Sequence, residues 1–416
     1  MAAQTAELAR ADSAWNAKDW NEARRRYEAV LQLDPEQSRA VYRLARLAPT
    51  RDSAVVLAGR YTELEPDDAW GWFLLGGEWL KAGRPRRAAQ ALDRARTLDP
   101  DPDIARRWQL ARALDAPAVE PLGGWQRDSD GYQTTRFGLR GDWAVGDGTR
   151  LGGSVSQSHI SDDARSFPAQ SGQLLLTSRP GSAWRIDLGA GLTRLDPDSL
   201  GEAWTAATGS LRLRWRASDR GAMVELRGER IPLGTTPELV LSEATRAELR
   251  GSIEVPAGPV RLRAGGRAGA IRSTVDDNSR IGLDGSIARP VGPAGEVSAQ
   301  YHRLKYDQAT TAGYFAPQWT ETLEGGAYFE LLEGTGWLLA LDAGLGAQRT
   351  RRFDDVTDPA WALAARLWAN ITRSVGAGRE IRLELDSSNS PGQATVVGTS
   401  EDWRFLSLLL SIRWAL

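Results

Sequence analysis

WRIDLGAGL, residues 184–192, is the stretch on which the fold turns. Trp184, Ile186, Leu188, Ala190 and Leu192 take every second position, and Arg185, Asp187, Gly189 and Gly191 fill the places between. A period of two puts the apolar set on one face of a strand and the polar set on the other. WLLALDAGLG at 337–346 repeats it, with Trp337, Leu339, Leu341, Ala343 and Leu345 against Leu338, Ala340, Asp342, Gly344 and Gly346. Segments of about ten residues with this alternation, each bounded by turn residues, follow one another from Tyr132 to the end of the chain.

The connections carry a second pattern. Val145–Thr149, Pro180–Ser182, Ser218–Gly221, Pro256–Pro259, Val291–Ala294, Glu333–Gly336 and Ser374–Gly378 are short. Asp162–Ser171, Asp196–Gly201, Pro232–Leu239, Ser273–Ser279, Asp307–Gln318, Thr350–Ala360 and Pro391–Ser400 are long. Strict short–long alternation is expected of an outer-membrane barrel with tight periplasmic turns and longer outer loops, whereas a soluble sandwich has no reason for it. Fifteen strands are clear. The first connection is short, so the strand from Tyr132 to Val145 descends toward the periplasm. A strand must therefore precede it, and Pro121–Arg127, with Asp128–Gly131 as its outer loop, is the candidate. The expectation is sixteen strands, enough for an aqueous lumen. Trp143, Trp184, Trp215 and Trp337 beside short turns, and Trp204, Trp361 and Trp403 beside long loops, read as two interfacial belts. A soluble β-protein with tryptophans in its core is the competing reading.

The first 115 residues are different. Ala, Arg and Leu dominate them, and Leu33-Asp34-Pro35, Leu64-Glu65-Pro66 and Leu98-Asp99-Pro100 recur at spacings of 31 and 34. A 34-residue period ending in proline is the tetratricopeptide signature. The third unit fits best, with Trp72, Leu75, Gly76 and Trp79 on its first helix and Ala88, Leu92, Ala95 and Pro100 completing the second. The middle unit is short and degenerate. Residues Asp103–Leu114 read as a closing helix with Ile104, Trp108 and either Leu110 or Ala111 on one face. The expected organisation is an α + β membrane protein: repeats over 1–115, a Pro/Gly-bearing linker over 116–124, and a sixteen-stranded antiparallel barrel over 120–416. A repeat array this short is a spacer or docking module.

Bulk properties narrow the function. The formal net charge of −2 gives no reason to expect nucleic-acid binding. Cysteine is absent, which excludes disulfides and thiolate metal sites. The start, MAAQTAELARADSAW, has no basic segment leading into an apolar one, so the chain is expected to be either cytoplasmic or a mature or trimmed form. The lumen faces would carry arginine and carboxylate in near balance. Arg212, Arg214 and Arg216 form the densest patch, joined by Arg263, Arg267, Arg366, Arg382, Glu324, Asp342 and Trp368. A pore for a polyanion should be strongly basic, so this lumen suits a neutral or weakly charged solute. The same charges could equally pair in cross-strand ladders. Catalysis is not expected. His159 and His302 are the two histidines, and Ser158 beside His159 must point to the opposite face of a strand. No cofactor is expected, and the loop pairs Asp354-Asp355 and Asp276-Asp277 read as solvated carboxylates rather than a metal site.

One hexapeptide is unusual. GYFAPQ at 313–318 sets Tyr314, Phe315 and Pro317 in a loop, followed by Trp319. With Glu324-Gly325-Gly326 after it and Asp402-Trp403 and Ser411-Ile412-Arg413-Trp414 at the end, this stretch resembles the C-terminal barrel domain of the cellulose synthase outer-membrane subunit family. The barrel-wide likeness covers about 120–416, and family members carry many more repeats. The resemblance implies an exopolysaccharide-export porin for a β-glucan, with outer-membrane lipids around it and synthase components docking on the repeats. The poly-N-acetylglucosamine porins share this architecture. A plugged structural or surface-receptor barrel is the alternative of a different class. Parity sets Tyr314, Phe315, Pro317, Gln318 and Trp319 at the outer mouth, where they are expected to gate the pore or to touch either the wall or the emerging sugar chain.

Overall fold

The computed structural model describes residues 2–218, 221–333, 336–376, 378–390 and 403–416. The expected loop Pro391–Ser400, Asp402 and parts of three short turns lie outside the described residues. The chain divides into two compact units: the first holds the helices up to Ala116 together with Ala144–Thr149 and Arg179–Trp184, and the second holds the rest of the barrel from Pro117.

Seven helices make the first unit: α1 (Ala2–Asn16), α2 (Trp20–Leu33), α3 (Ser38–Arg46), α4 (Arg51–Leu64), α5 (Ala69–Lys81), α6 (Pro85–Leu98) and α7 (Pro102–Asp115). They pack as consecutive pairs, with α7 closing the array against α6. The pairing follows from residue size. Gly76 on α5 lets Leu92 of α6 lie against its backbone, since a Cβ there would come within 2.5 Å of Leu92 Cγ. Asp19, Asp68 and Asp101 accept hydrogen bonds from the first-turn amides of α2, α5 and α7, and Thr50 and Ser53 cap α4 reciprocally. Tyr27 and Tyr61, one period apart, each donate to an aspartate at 2.6 Å, to Asp12 and Asp68 respectively. Burial beside those carboxylates pushes both phenols well above the ordinary tyrosine range. On α7, Ile104 and Ala111 are fully buried while Leu110 is exposed, so Ala111 completes the inner face.

The second unit is a closed antiparallel barrel of sixteen strands: β1 (Ala118–Asp128), β2 (Gln133–Gly146), β3 (Thr149–Ser161), β4 (Ser166–Ser178), β5 (Trp184–Leu195), β6 (Trp204–Arg216), β7 (Met223–Pro232), β8 (Thr245–Ala257), β9 (Val260–Arg272), β10 (Asp277–Val291), β11 (Gly295–Tyr306), β12 (Trp319–Glu333), β13 (Trp337–Arg351), β14 (Ala362–Ser374), β15 (Arg379–Ser388) and β16 (Phe405–Ala415). The strand demanded by parity is β1, which pairs with β2 on one side and β16 on the other. It begins at Ala118, so most of the stretch expected as linker is strand. Pro121 is tolerated because a missing N–H costs only one bond of the β1–β16 ladder, which is interrupted there. No described helix is long and apolar enough to cross a membrane, and the crossing belongs to the strands.

Alternation sorts the faces. Phe137, Leu174 and Leu345 are more than 60% exposed, and leucines, isoleucines and valines of every strand pair share that outer face. So much exposed apolar surface is stable only against lipid. Trp143, Trp184, Trp337 and Trp414 sit exposed at the short-turn end, and Trp361 at the long-loop end. Two expected belt residues are elsewhere. Trp403 is fully buried, stacked on Phe405, and its indole donates to Asp128 at 3.0 Å across the β1–β16 seam. Trp204 turns under a loop helix described below. The loop-length rule also softens. The long-end connections 162–165 and 273–276 are tight because β3, β4, β9 and β10 continue into the rim, and Asp162 closes one of them by accepting from the Ala164 and Arg165 amides.

Candidate functional site

Below the rim the lumen is a wall of paired charges. Glu225 of β7 accepts from Arg212 at 3.0 Å and Arg214 at 2.9 Å on β6, and from Arg227 on its own strand. Arg216 turns instead to the Met223 sulfur at 3.3 Å. On the facing side Arg366 bridges Glu324 at 2.6 Å and Asp342 at 2.9 Å, with Glu324 laid flat over Gly344, where a Cβ would collide with it. Trp368 donates to Glu384 at 3.0 Å, Arg263 to Ser252 at 3.1 Å, and Arg382 lies 3.8 Å from Glu380. Arg267 lies across Gly282. Glu225, Arg227, Arg263, Arg267, His302 and Arg366 line a cavity of about 510 Å3. The cross-strand ladder and the lining are therefore one arrangement: most cations already have a carboxylate, and the cavity keeps only a modest basic excess, five arginines against Glu225, Asp284 and Asp386. His302 faces this lumen, whereas His159 is exposed on the outer face and Ser158 turns inward to Arg136 at 3.3 Å.

At the long-loop end, described loop segments pack into the mouth. A helix absent from the sequence reading, α8 (Pro237–Leu241), interrupts the β7–β8 connection, so that β8 starts only at Thr245. Its signal was present: Thr236 caps the helix by accepting from the Leu239 amide at 3.2 Å, and Pro237 opens the first turn. Five residues are too few to stand alone, and α8 persists because both flanks are buried. Leu239 packs with Leu233, Ile271, Leu304, Tyr306, Ala312, Tyr314 and Ala316 on the β9–β11 side. Val240 packs with Ile160, Phe167, Ala169 and Leu195 on the β3–β5 side, and the Trp204 indole donates to the Val240 carbonyl at 3.0 Å. Glu238 pairs with Arg165.

The hexapeptide segment is the floor on which α8 rests. Tyr314 is buried, with its ring 6.3 Å from Tyr306, and Pro317 is buried too. Burial pushes the Tyr314 phenol up to about 12. Gly313 has φ of +96°, and a Cβ on it would sit 2.5 Å from Glu238 Cβ, so backbone and space both require glycine there. Ser242 donates to the Ala312 carbonyl at 3.0 Å, locking the two loops together. Phe315 is half-buried with Arg352 over its ring at 5.9 Å. Gln318 is half-buried. Trp319 corrects the expectation. It is the first residue of β12 and shares the outer face with Leu323, so its ring lies between Arg303 and Arg349 on the lipid side and cannot meet a solute in the lumen. The odd parity of Trp319 and Leu323 could have shown this.

No family model and no curated protein matches the sequence. Among solved structures, the chain is similar to one described as a bacterial polysaccharide outer membrane secretin. That match has a TM-score of 0.53 and 10% identity, over 73% of this chain and 99% of that one. It is also similar to CdiB from Acinetobacter baumannii, with a TM-score of 0.43 and 8% identity over 72% of this chain and 60% of that one. The helical part is similar to the Arabidopsis OM64 TPR domain, with a TM-score of 0.26 and 16% identity over 27% of this chain and 96% of that one. At these identities the first match speaks for the barrel fold alone.

Proposed function

We propose that the barrel is a conduit that exports a neutral or weakly charged polysaccharide, of cellulose-like β-glucan type, by passive threading across the outer membrane. In this reading the short turns and the repeats face the periplasm, and the repeats dock synthase components. One observation carries it: a polar lumen in which most arginines meet a carboxylate leads to a mouth where α8 and the loop of Tyr314 pack inward on two walls. A polymer without net charge slides best along many weak hydrogen-bonding sites, and paired Arg, Asp and Glu supply them without trapping it. The fold likeness to a polysaccharide secretin favours the same class. The protein is read as a conduit, not a catalyst, and His159→Ala should leave export unchanged.

The test is single-channel recording in planar bilayers. Wild type should pass little current, a variant with α8 released should open, and cello-oligosaccharides should block the open state more strongly than N-acetylglucosamine oligomers. Block by neither sugar would sink the export reading. The burial of α8 on two walls also fits the second reading, a plugged surface-receptor barrel. That reading predicts no current even after α8 is released.

A further inference from the structure

We propose that the outer face of β11–β13 at the long-loop end is a binding site for the phosphorylated headgroup of an outer-leaflet lipid. The outward positions of these strands change character over two pleats. Tyr301, Leu323 and Ala347, in register, end the apolar band. The next outward row, in register, is Arg303, Glu321 and Arg349. The row beyond is Lys305, Trp319 and Arg351. Each pleat advances about 6.6 Å, so the two rows stand where lipid headgroups begin above the hydrocarbon.

The cations are held ready for an anion. Glu321, 6% exposed, takes Arg303 at 2.9 Å and Arg349 at 2.8 Å, so one carboxylate orients two guanidiniums. Both lie over the Trp319 indole, at 5.6 and 5.1 Å, and Arg349 also covers Trp361 at 4.8 Å. Arg351 meets Asp358, an exposed carboxylate, at 2.9 Å. Lys305 is exposed and makes no ion pair among the described residues. Asp307, one position further out, is already engaged by Ser279. Four cations thus face three carboxylates, Glu321, Asp358 and Asp307, and one positive charge is left over. At the opposite end the indoles of Trp337 and Trp414 each carry a single arginine. These side chains point away from the lumen, so a transported solute cannot be their ligand. A phosphate on a lipid headgroup lies at the right height, and guanidinium forks and a lysine suit its oxygens. The site depends on the membrane-barrel fold and not on what the lumen carries.

The experiment uses the full chain in nanodiscs doped with bis-phosphorylated lipid A, and native mass spectrometry to count retained lipid. Wild type should retain it over the dephosphorylated form. Lys305→Gln with Arg351→Gln, which leaves the Arg303–Glu321–Arg349 group intact, should weaken retention about tenfold. Unchanged heat-shifted gel mobility verifies that this variant is folded. Equal retention of both lipids, or full retention by the folded variant, would overturn the proposal. So would displacement by millimolar inorganic phosphate, which would mark a free-anion site.

Discussion

At the scale of single residues, two buried groups give sharp expectations. Tyr314 titrates only near pH 12 in the folded mouth, above its unfolded value of about 10. A folded pKa that is raised means the stabilisation is complete below about pH 10 and is lost as pH climbs toward 12. Limited proteolysis of the 307–318 loop should therefore accelerate between pH 10 and 12 in wild type. Tyr314→Phe should remove that acceleration, and an unchanged profile would detach it from Tyr314. Glu225 is the second case. It is 4% exposed and holds three arginines, so Glu225→Gln leaves a cluster of like charges in the lumen. Removing one partner of such a group costs roughly 3 kcal/mol. The urea midpoint should fall, and the reversal potential in a salt gradient should move toward anion selectivity.

At the scale of elements, α8 is where sequence reading and structure part. The strands were legible because alternation is local: every outward leucine of β13 reports its face in its own position number. The Thr236-Pro237 start of α8 was equally local, but five residues fall below the length at which periodicity can speak. What stabilises α8 is contact with Leu195, Ile271 and Tyr314, which sequence spacing does not reveal. The same blindness hid Trp204 and Trp403, assigned to the membrane interface by position although each fills a gap closed by a distant segment. Burying Leu239 and Val240 is worth about 1.5–3 kcal/mol each. Val240→Asp would set an unpaired charge among Ile160, Phe167 and Leu195 and should lift α8 from the β3–β5 wall. Single-channel conductance should rise while the barrel stays folded. Deleting 312–318 removes the floor under α8 and should raise conductance in the same way. If the deletion conducts as wild type does, the hexapeptide only packs its loop.

At the scale of the whole molecule, the decisive feature is closure. A sheet of sixteen strands has no edge only because β1 returns to β16, and in lipid an unpaired edge costs several kcal/mol for each exposed amide. The seam is fastened at both ends. Leu416 N–H donates to the Pro117 carbonyl at 2.8 Å at one, and Ser129 N–H to the Arg404 carbonyl at 2.8 Å, beside the Trp403–Asp128 bond, at the other. The parity of the connections could demand β1 before its residues looked like a strand, because an even count is a property of the closed barrel and not of any segment. The helical unit stands on a different footing, with cores drawn entirely from its own residues, such as Tyr27 with Val30 and Leu92 with Ala111. These two facts make opposite predictions for two truncations. A chain beginning at Pro117 should refold into detergent micelles and keep the heat-dependent gel shift of a closed barrel. A chain from which 118–128 are deleted should lose that shift, because β2 and β16 are both left with open edges. A shift that survives the second deletion would mean that the wall closes without β1, in a fifteen-stranded register that the observed pairing does not contain.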